Sequence, residues 1–343
     1  MPITTRLTTL LGIQSPIVSA PMASAASPAM AAAVTGAGAF GFFGAGRDTS
    51  QQLRDGLRSI RKTLDIPSGA PVPAGVGFLG WILDRTEVSD DPRIPAYLEE
   101  MPAAIWFAFG TDLGKYITQV RAYDAKREHK TLVFVIVNSV EEALRATNEW
   151  KVDVLVVQGN EAGGHGGSYA PPLLSLLQAV LNEISNGPVI IAAGGITTGA
   201  QSAALLAMGA DGVVIGSRLL CAPESVYSEA IKEEILKAGM NATARSYAFD
   251  DVNRTRYWPE GIDGRALAND ILVDFDKGLD LDARLKNYDE AKTKGERSRL
   301  VVWAGVGIGF VKDKRDSATI IKEIHDEMVH TLQAVTRRIS LKL

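Results

Sequence analysis

Cysteine is nearly absent from this chain. Cys221 is the only one in 343 residues, which excludes an internal disulfide framework and a cysteine-based zinc site and fits a reducing compartment. Histidine is scarce too, and His129, His165, His325 and His330 show no metal-ligand spacing. An excess of basic charge is missing: 36 Lys plus Arg stand against 40 Asp plus Glu, a net charge of −4. The chain therefore has no electrostatic footprint for nucleic acid or an anionic membrane, and an anionic ligand must be held locally. Long, strongly apolar runs are missing as well. Between Arg6 and Arg47 no residue is charged, yet the stretch is rich in Ala, Gly and Ser and is broken by Pro16, Pro21 and Pro28. A membrane-spanning helix needs about 20 consecutive apolar residues. The basic segment and leucine-rich core of a signal peptide are not seen, and a cytoplasmic location is the default expectation. No repeat of solenoid period and no low-complexity linker stands out.

What is present is a series of short apolar runs: 16–20, 38–43, 72–78, 103–109, 131–137, 152–157, 188–194 and 211–216. They are continuously hydrophobic rather than alternating, as strands covered on both faces must be. Helical signals lie between them. Ser139 followed by Glu142 predicts a capping box ahead of 139–150, and the threonines at 197–198 with Gly209 bracket another helix. Eight alternating units predict a (β/α)8 TIM barrel over an open doubly wound sheet. The helix-like run 224–239 is expected to close it. Residues 245–310 are less regular, with Trp258, Pro259 and several turn signals, and are expected to form a lid or small subdomain. The barrel would then consist of residues 1–240 with 311–343, the stretch 316–338 reading as an amphipathic helix.

The most informative segment is QGNEAGGHGG (158–167), which places His165 among five glycines directly after an apolar run. Glycine allows close backbone approach to a ligand, and imidazole is the side chain that titrates nearest neutral pH. Two more glycine-bearing strand ends follow, AAGGIT (192–197) and IGS (215–217). In such barrels the loops after the last two strands hold phosphate through backbone N–H groups. Gly194, Gly195, Gly216 and Ser217 are therefore candidate phosphate ligands. A flat ring attached to that phosphate would reach APMA (20–23) and GVGFLGW (75–81), where Pro21 and Met22 would lie against it and Gly75 and Gly77 would admit it closely. No GxGxxG opens a helix after the first strand, so a nicotinamide Rossmann site is a poor fit.

The combination of APMA, GVGFLGW, QGNEAGGHGG, AAGGIT and GADGVVIGSRLL (209–220) resembles the nitronate monooxygenase family, formerly the 2-nitropropane dioxygenases. WPEGIDGRALAN (258–269) and VVWAGVGIG (301–309) resemble its C-terminal half, and the GVGFLGW form resembles its fungal-type branch. The resemblance implies an FMN-dependent barrel that oxidises alkyl nitronates with molecular oxygen to a carbonyl compound and nitrite. It implies further that Pro21, Met22 and Ala23 line the flavin ring, that Gln158, Gly163 and Gly164 contact the cofactor, and that His165 serves as general base toward a neutral nitroalkane or stabilises a preformed nitronate. Gly77 departs from the Asn of many bacterial members, which puts substrate range in question. Partners are then the nitronate and O2, with no nucleic acid or membrane and a homodimer compatible. The alternatives are an NAD(P)H-dependent flavin reductase of quinones or enoyl thioesters, and a flavin-binding protein without chemistry.

Other residues weigh less. Glu161 could orient His165 or cap the loop, and Cys221 reads as a small buried hydrophobe, since no base neighbours it in sequence. Phe78, Trp81 and Trp106 are candidate pocket walls, although core packing is the commoner role for each.

Overall fold

A computed structural model describes residues 1–338. Eight parallel strands form one sheet: Ile17–Ser19 (β1), Gly41–Gly44 (β2), Val72–Leu79 (β3), Pro102–Ala108 (β4), Leu132–Val137 (β5), Val154–Gln158 (β6), Val189–Ala193 (β8) and Gly212–Ile215 (β9). Their spatial order runs β1-β9-β8-β6-β5-β4-β3-β2. The two ends meet through a parallel bridge, Val18 to Phe40, where Ser19 N–H donates to the Phe40 carbonyl. With helices between the strands, this is the (β/α)8 barrel that the pattern of apolar runs predicts.

Alternation along each strand divides two cores. Val18, Phe42, Trp106, Phe134, Val154, Val156, Ile191 and Val214 fill the barrel interior, whereas Leu155, Val157, Ile190 and Val213 face the helices. Both faces are buried, which is why the strands read as unbroken apolar runs. Along β6 the inward series Val154, Val156 continues to Gln158, the next position of period two. A polar side chain thereby arrives at the open end of the barrel.

The cap ahead of Val140–Asn148 differs from expectation in one bond. Ser139 Oγ accepts from Glu142 N–H, but the Glu142 carboxylate accepts from Asn138 N–H rather than from the capping residue itself. A complete capping box does form at Thr198 and Gln201, ahead of the helix Gly199–Ala207.

The helix that completes the ring is not 224–239. Glu229–Lys237 buries Ile235 in a separate cluster with Cys221, Tyr227, Val302 and Val311. The C-terminal helix Ser317–Arg338 takes that place, packing against Gly199–Ala207 and Pro28–Gly36. Its Ile320, Ile321, Ile324 and Met328 supply an apolar stripe at helical spacing. Gly199 admits it closely, because a Cβ there would collide with the Ile324 carbonyl.

A second sheet is three-stranded and antiparallel: Thr243–Ser246 (β10), Ile262–Leu267 (β11) and Gly164–Gly167 (β7), with β11 in the centre. β7 belongs to the glycine-rich segment after β6. The register sets Gly264 opposite His165, so the later part of the chain is bonded directly to the strand that carries the imidazole.

Candidate active site

The open end of the barrel holds a cavity of about 420 Å³, within the range usual for small-molecule sites. Pro21, Met22, Ala23, Gly77, Gln158, Gly163, Gly164, His165, Gly194, Gly195, Gly216 and Ser217 all line it. The structure thus brings these candidates to one place; Gly75 is the exception, since it does not line the cavity and packs against the Phe42 ring inside the barrel.

Its floor and one wall are backbone held by close packing. Pro21 lies against β3 at Gly77, where a Cβ would collide with the proline ring; at Gly44 a Cβ would stand 2.6 Å from the Ala23 Cα. These contacts explain the glycine at position 77: an Asn there would need the Pro21–Ala23 segment to move. Replacing Gly77 by Val should therefore displace that wall at about 1–3 kcal/mol of overpacking. The expected result is a purified protein that retains less of the FMN that the sequence resemblance implies, while its far-ultraviolet circular dichroism is kept.

At the end of β8, Gly194 (φ +119°) and Gly195 (φ +70°) adopt backbone that other residues rarely reach. Among the described residues no acceptor takes the backbone N–H of Gly194, Gly195, Gly216 or Ser217. Unsatisfied N–H groups gathered at strand ends form an anion cradle that needs no lysine. Ser217 Oγ is otherwise engaged, accepting from Gly305 N–H at 2.9 Å. Gln158 is also a scaffold: its Nε2 donates to the His165 carbonyl at 2.9 Å, and its own carbonyl accepts from Asn138 Nδ2 at 2.8 Å.

His165 has a partner that the sequence does not reveal. Its Nε2 stands 3.0 Å from both carboxylate oxygens of Asp250, which lies in the short helix Ala248–Asn253. The side chains are 10 % and 3 % exposed, so the pair is shielded from water. Thr255 Oγ1 donates to Asp250 Oδ1 at 2.8 Å and fixes the carboxylate. The imidazole lies flat on Trp258, ring centroids 3.5 Å apart and planes 12° apart, with Trp303 at 4.6 Å. A carboxylate on one ring nitrogen sets the tautomer and balances the charge when the other takes up a proton.

Among the described residues the other titratable groups lining the cavity are Arg47 and Tyr227. Burial pushes the Tyr227 phenol well above its ordinary range, so it stays protonated. Among the described lining residues His165 is the one imidazole, the side chain most often used as a general base.

Glu161 does not orient the imidazole. Its carboxylate accepts from Leu173 N–H at 3.0 and 2.9 Å, at the start of the helix Leu173–Glu183. Burial pushes the Cys221 thiol up to about 11, which leaves it an inert filler. His129 Nε2 donates to the Pro102 carbonyl, and His325 bonds Ser15 Oγ through Nδ1 and donates to the Met1 carbonyl through Nε2. Among the described residues no cluster suits a metal ion, and no helix is long and apolar enough to cross a membrane.

A family model for nitronate monooxygenase matches residues 4–75 and 80–327. The chain belongs to the nitronate monooxygenase family. A nitronate monooxygenase of Neurospora crassa is 30 % identical over 93 % of this chain and 90 % of that protein. Among solved structures, FabK from Thermotoga maritima superposes with a TM-score of 0.77 at 27 % identity, covering 98 % of this chain and all of that one. A nitroalkane oxidase from Streptomyces ansochromogenes gives 0.75 at 25 % identity, covering 96 % and 99 %. As a family member the chain is a flavin-dependent oxidoreductase, and the cavity tests that on its own terms. The unpaired N–H cradle suits the cofactor's phosphate, and the glycine-backed Pro21–Ala23 wall suits a flat ring. The residues fit the group.

Proposed function

We propose that this enzyme oxidises alkyl nitronates with molecular oxygen to a carbonyl compound and nitrite, using FMN. The observation that carries the reading is the shielded His165–Asp250 pair facing the same cavity as the N–H cradle. Gly194, Gly195, Gly216 and Ser217 would hold the phosphate; Pro21, Met22, Ala23 and Gly77, with Gln158, Gly163 and Gly164, would bound the ring. The bound flavin supplies the electron transfer between substrate and oxygen.

The chain's own residues do the rest. Arg47, exposed at the rim, is the one permanent positive charge among the described lining residues and favours an anionic nitronate over its neutral nitroalkane. When a nitroalkane enters instead, the His165 nitrogen turned away from Asp250 takes its α-proton, and Asp250 balances the imidazolium. Trp258 and Trp303 keep water from the ring. A module that only bound flavin would gain nothing from burying a carboxylate against this histidine, so the site speaks for catalysis.

The test is direct. Protein purified in its coloured form should release FMN on denaturation, and in air with ethyl nitronate it should produce nitrite while consuming oxygen. Release of FAD, or oxygen uptake without nitrite, would overturn the proposal.

A further inference from the structure

We infer that the mouth of this cavity is a subsite for an aromatic substituent on the nitronate, formed by Trp81, Phe109 and Trp258. The inference rests on the nitronate reading and names the substrate class within it. Trp81 and Trp258 meet edge to face with centroids 5.4 Å apart, and Phe109 meets Trp258 at 5.6 Å and 72°. All three line the cavity, and Trp258 continues into the stack with His165. The box therefore opens beside His165, not at a remote face.

Three observations show that it is built rather than incidental packing. First, Phe109 is held at φ +55°, a conformation disfavoured for an aromatic residue and found mostly where function requires it. Its carbonyl accepts from Trp81 N–H at 3.1 Å, so the strained backbone carries one ring and anchors the next. Second, the indole Nε1 atoms of Trp81 and Trp258 are buried with no acceptor among the described residues. A buried donor left unpaired is destabilising, and in a cavity wall it favours a ligand that brings an acceptor. Third, the outer side is buttressed: the Arg85 guanidinium lies 4.6 Å from the Tyr257 ring and 6.0 Å from that of Trp81, with Tyr257 itself 6.2 Å from Trp81. That cation clamps the rings from behind. Trp106 is different, since it packs among Phe42 and Phe134 in the barrel interior.

A flat substituent meets rings in offset or edge geometry, as they meet one another, and leaves water. An alkyl chain gains only the apolar burial. The enzyme should therefore favour phenylmethyl nitronate over ethyl nitronate by about tenfold in kcat/KM, the scale of one good aromatic contact. Trp81→Leu should bring that ratio close to one, and Trp81→Phe should keep most of it. Calorimetry on the unaltered flavoenzyme with phenylacetonitrile and propionitrile, neither of which is oxidised, reads the subsite without turnover, and the aryl nitrile should bind about tenfold tighter. Equal binding of the two nitriles overturns the subsite. So does a rate ratio that Trp81→Leu leaves unchanged. If neither nitronate yields nitrite the activity reading fails instead, while the nitrile comparison still decides the box.

Discussion

Replacing His165 by Asn should lower kcat/KM for a neutral nitroalkane by about 10² to 10⁴, the usual worth of a positioned imidazole base. The same change should cost a preformed nitronate far less. Asparagine keeps a polar group of similar reach but cannot take a proton. No substitute is at hand, because the remaining titratable lining groups are a guanidinium and a phenol that burial keeps protonated. Steady-state oxygen uptake with nitroethane and with ethyl nitronate measures both values. Equal losses on the two substrates would show that His165 binds the anion rather than removing the proton.

Asp250→Asn should lower nitroalkane turnover by about 10²-fold, an order of magnitude set by the loss of the charge that balances an imidazolium. Asn can still meet Thr255 and the ring, so the geometry is kept while the charge is removed. The loss should fall on kcat for nitroethane, with little change in KM, because Asp250 touches the imidazole and not the cavity contents. Turnover of ethyl nitronate should be nearly unaffected. Asp250→Ala removes the hydrogen bond too and should be worse on nitroethane, although the Trp258 stack still retains the ring plane. A purely structural role would instead show as lower thermal stability and equal loss on both substrates. Flavin content and far-ultraviolet dichroism separate these outcomes.

The barrel and most of its site are legible in the sequence because both are written in local runs. A strand covered on both faces is an apolar run, and a backbone cradle is a glycine pair at its end, as at Gly194 and Gly195. Asp250 is not legible in this way. It stands 85 positions from His165 in a stretch whose turn signals hide a short helix, and no spacing ties a carboxylate to a base across separate elements. Trp258 is visible as an aromatic in an irregular segment, but its stacking on His165 arises only from the pairing of β11 with β7. The closing helix is misplaced for a related reason: 224–239 and 317–338 are both amphipathic, and periodicity does not say which apolar face finds the gap between the first and last barrel helices. The glycine at position 77 is legible as a departure from a motif, whereas its cause, the ring of Pro21, is a contact between the segment after β1 and β3.

The most direct test of this account is an anaerobic stopped-flow comparison of how fast the bound flavin is bleached by ethyl nitronate and by NADH. A nitronate-oxidising site predicts fast bleaching by the nitronate, with slow or undetectable bleaching by NADH. Fast bleaching by NADH alone would contradict it and make the chain a nicotinamide-dependent reductase.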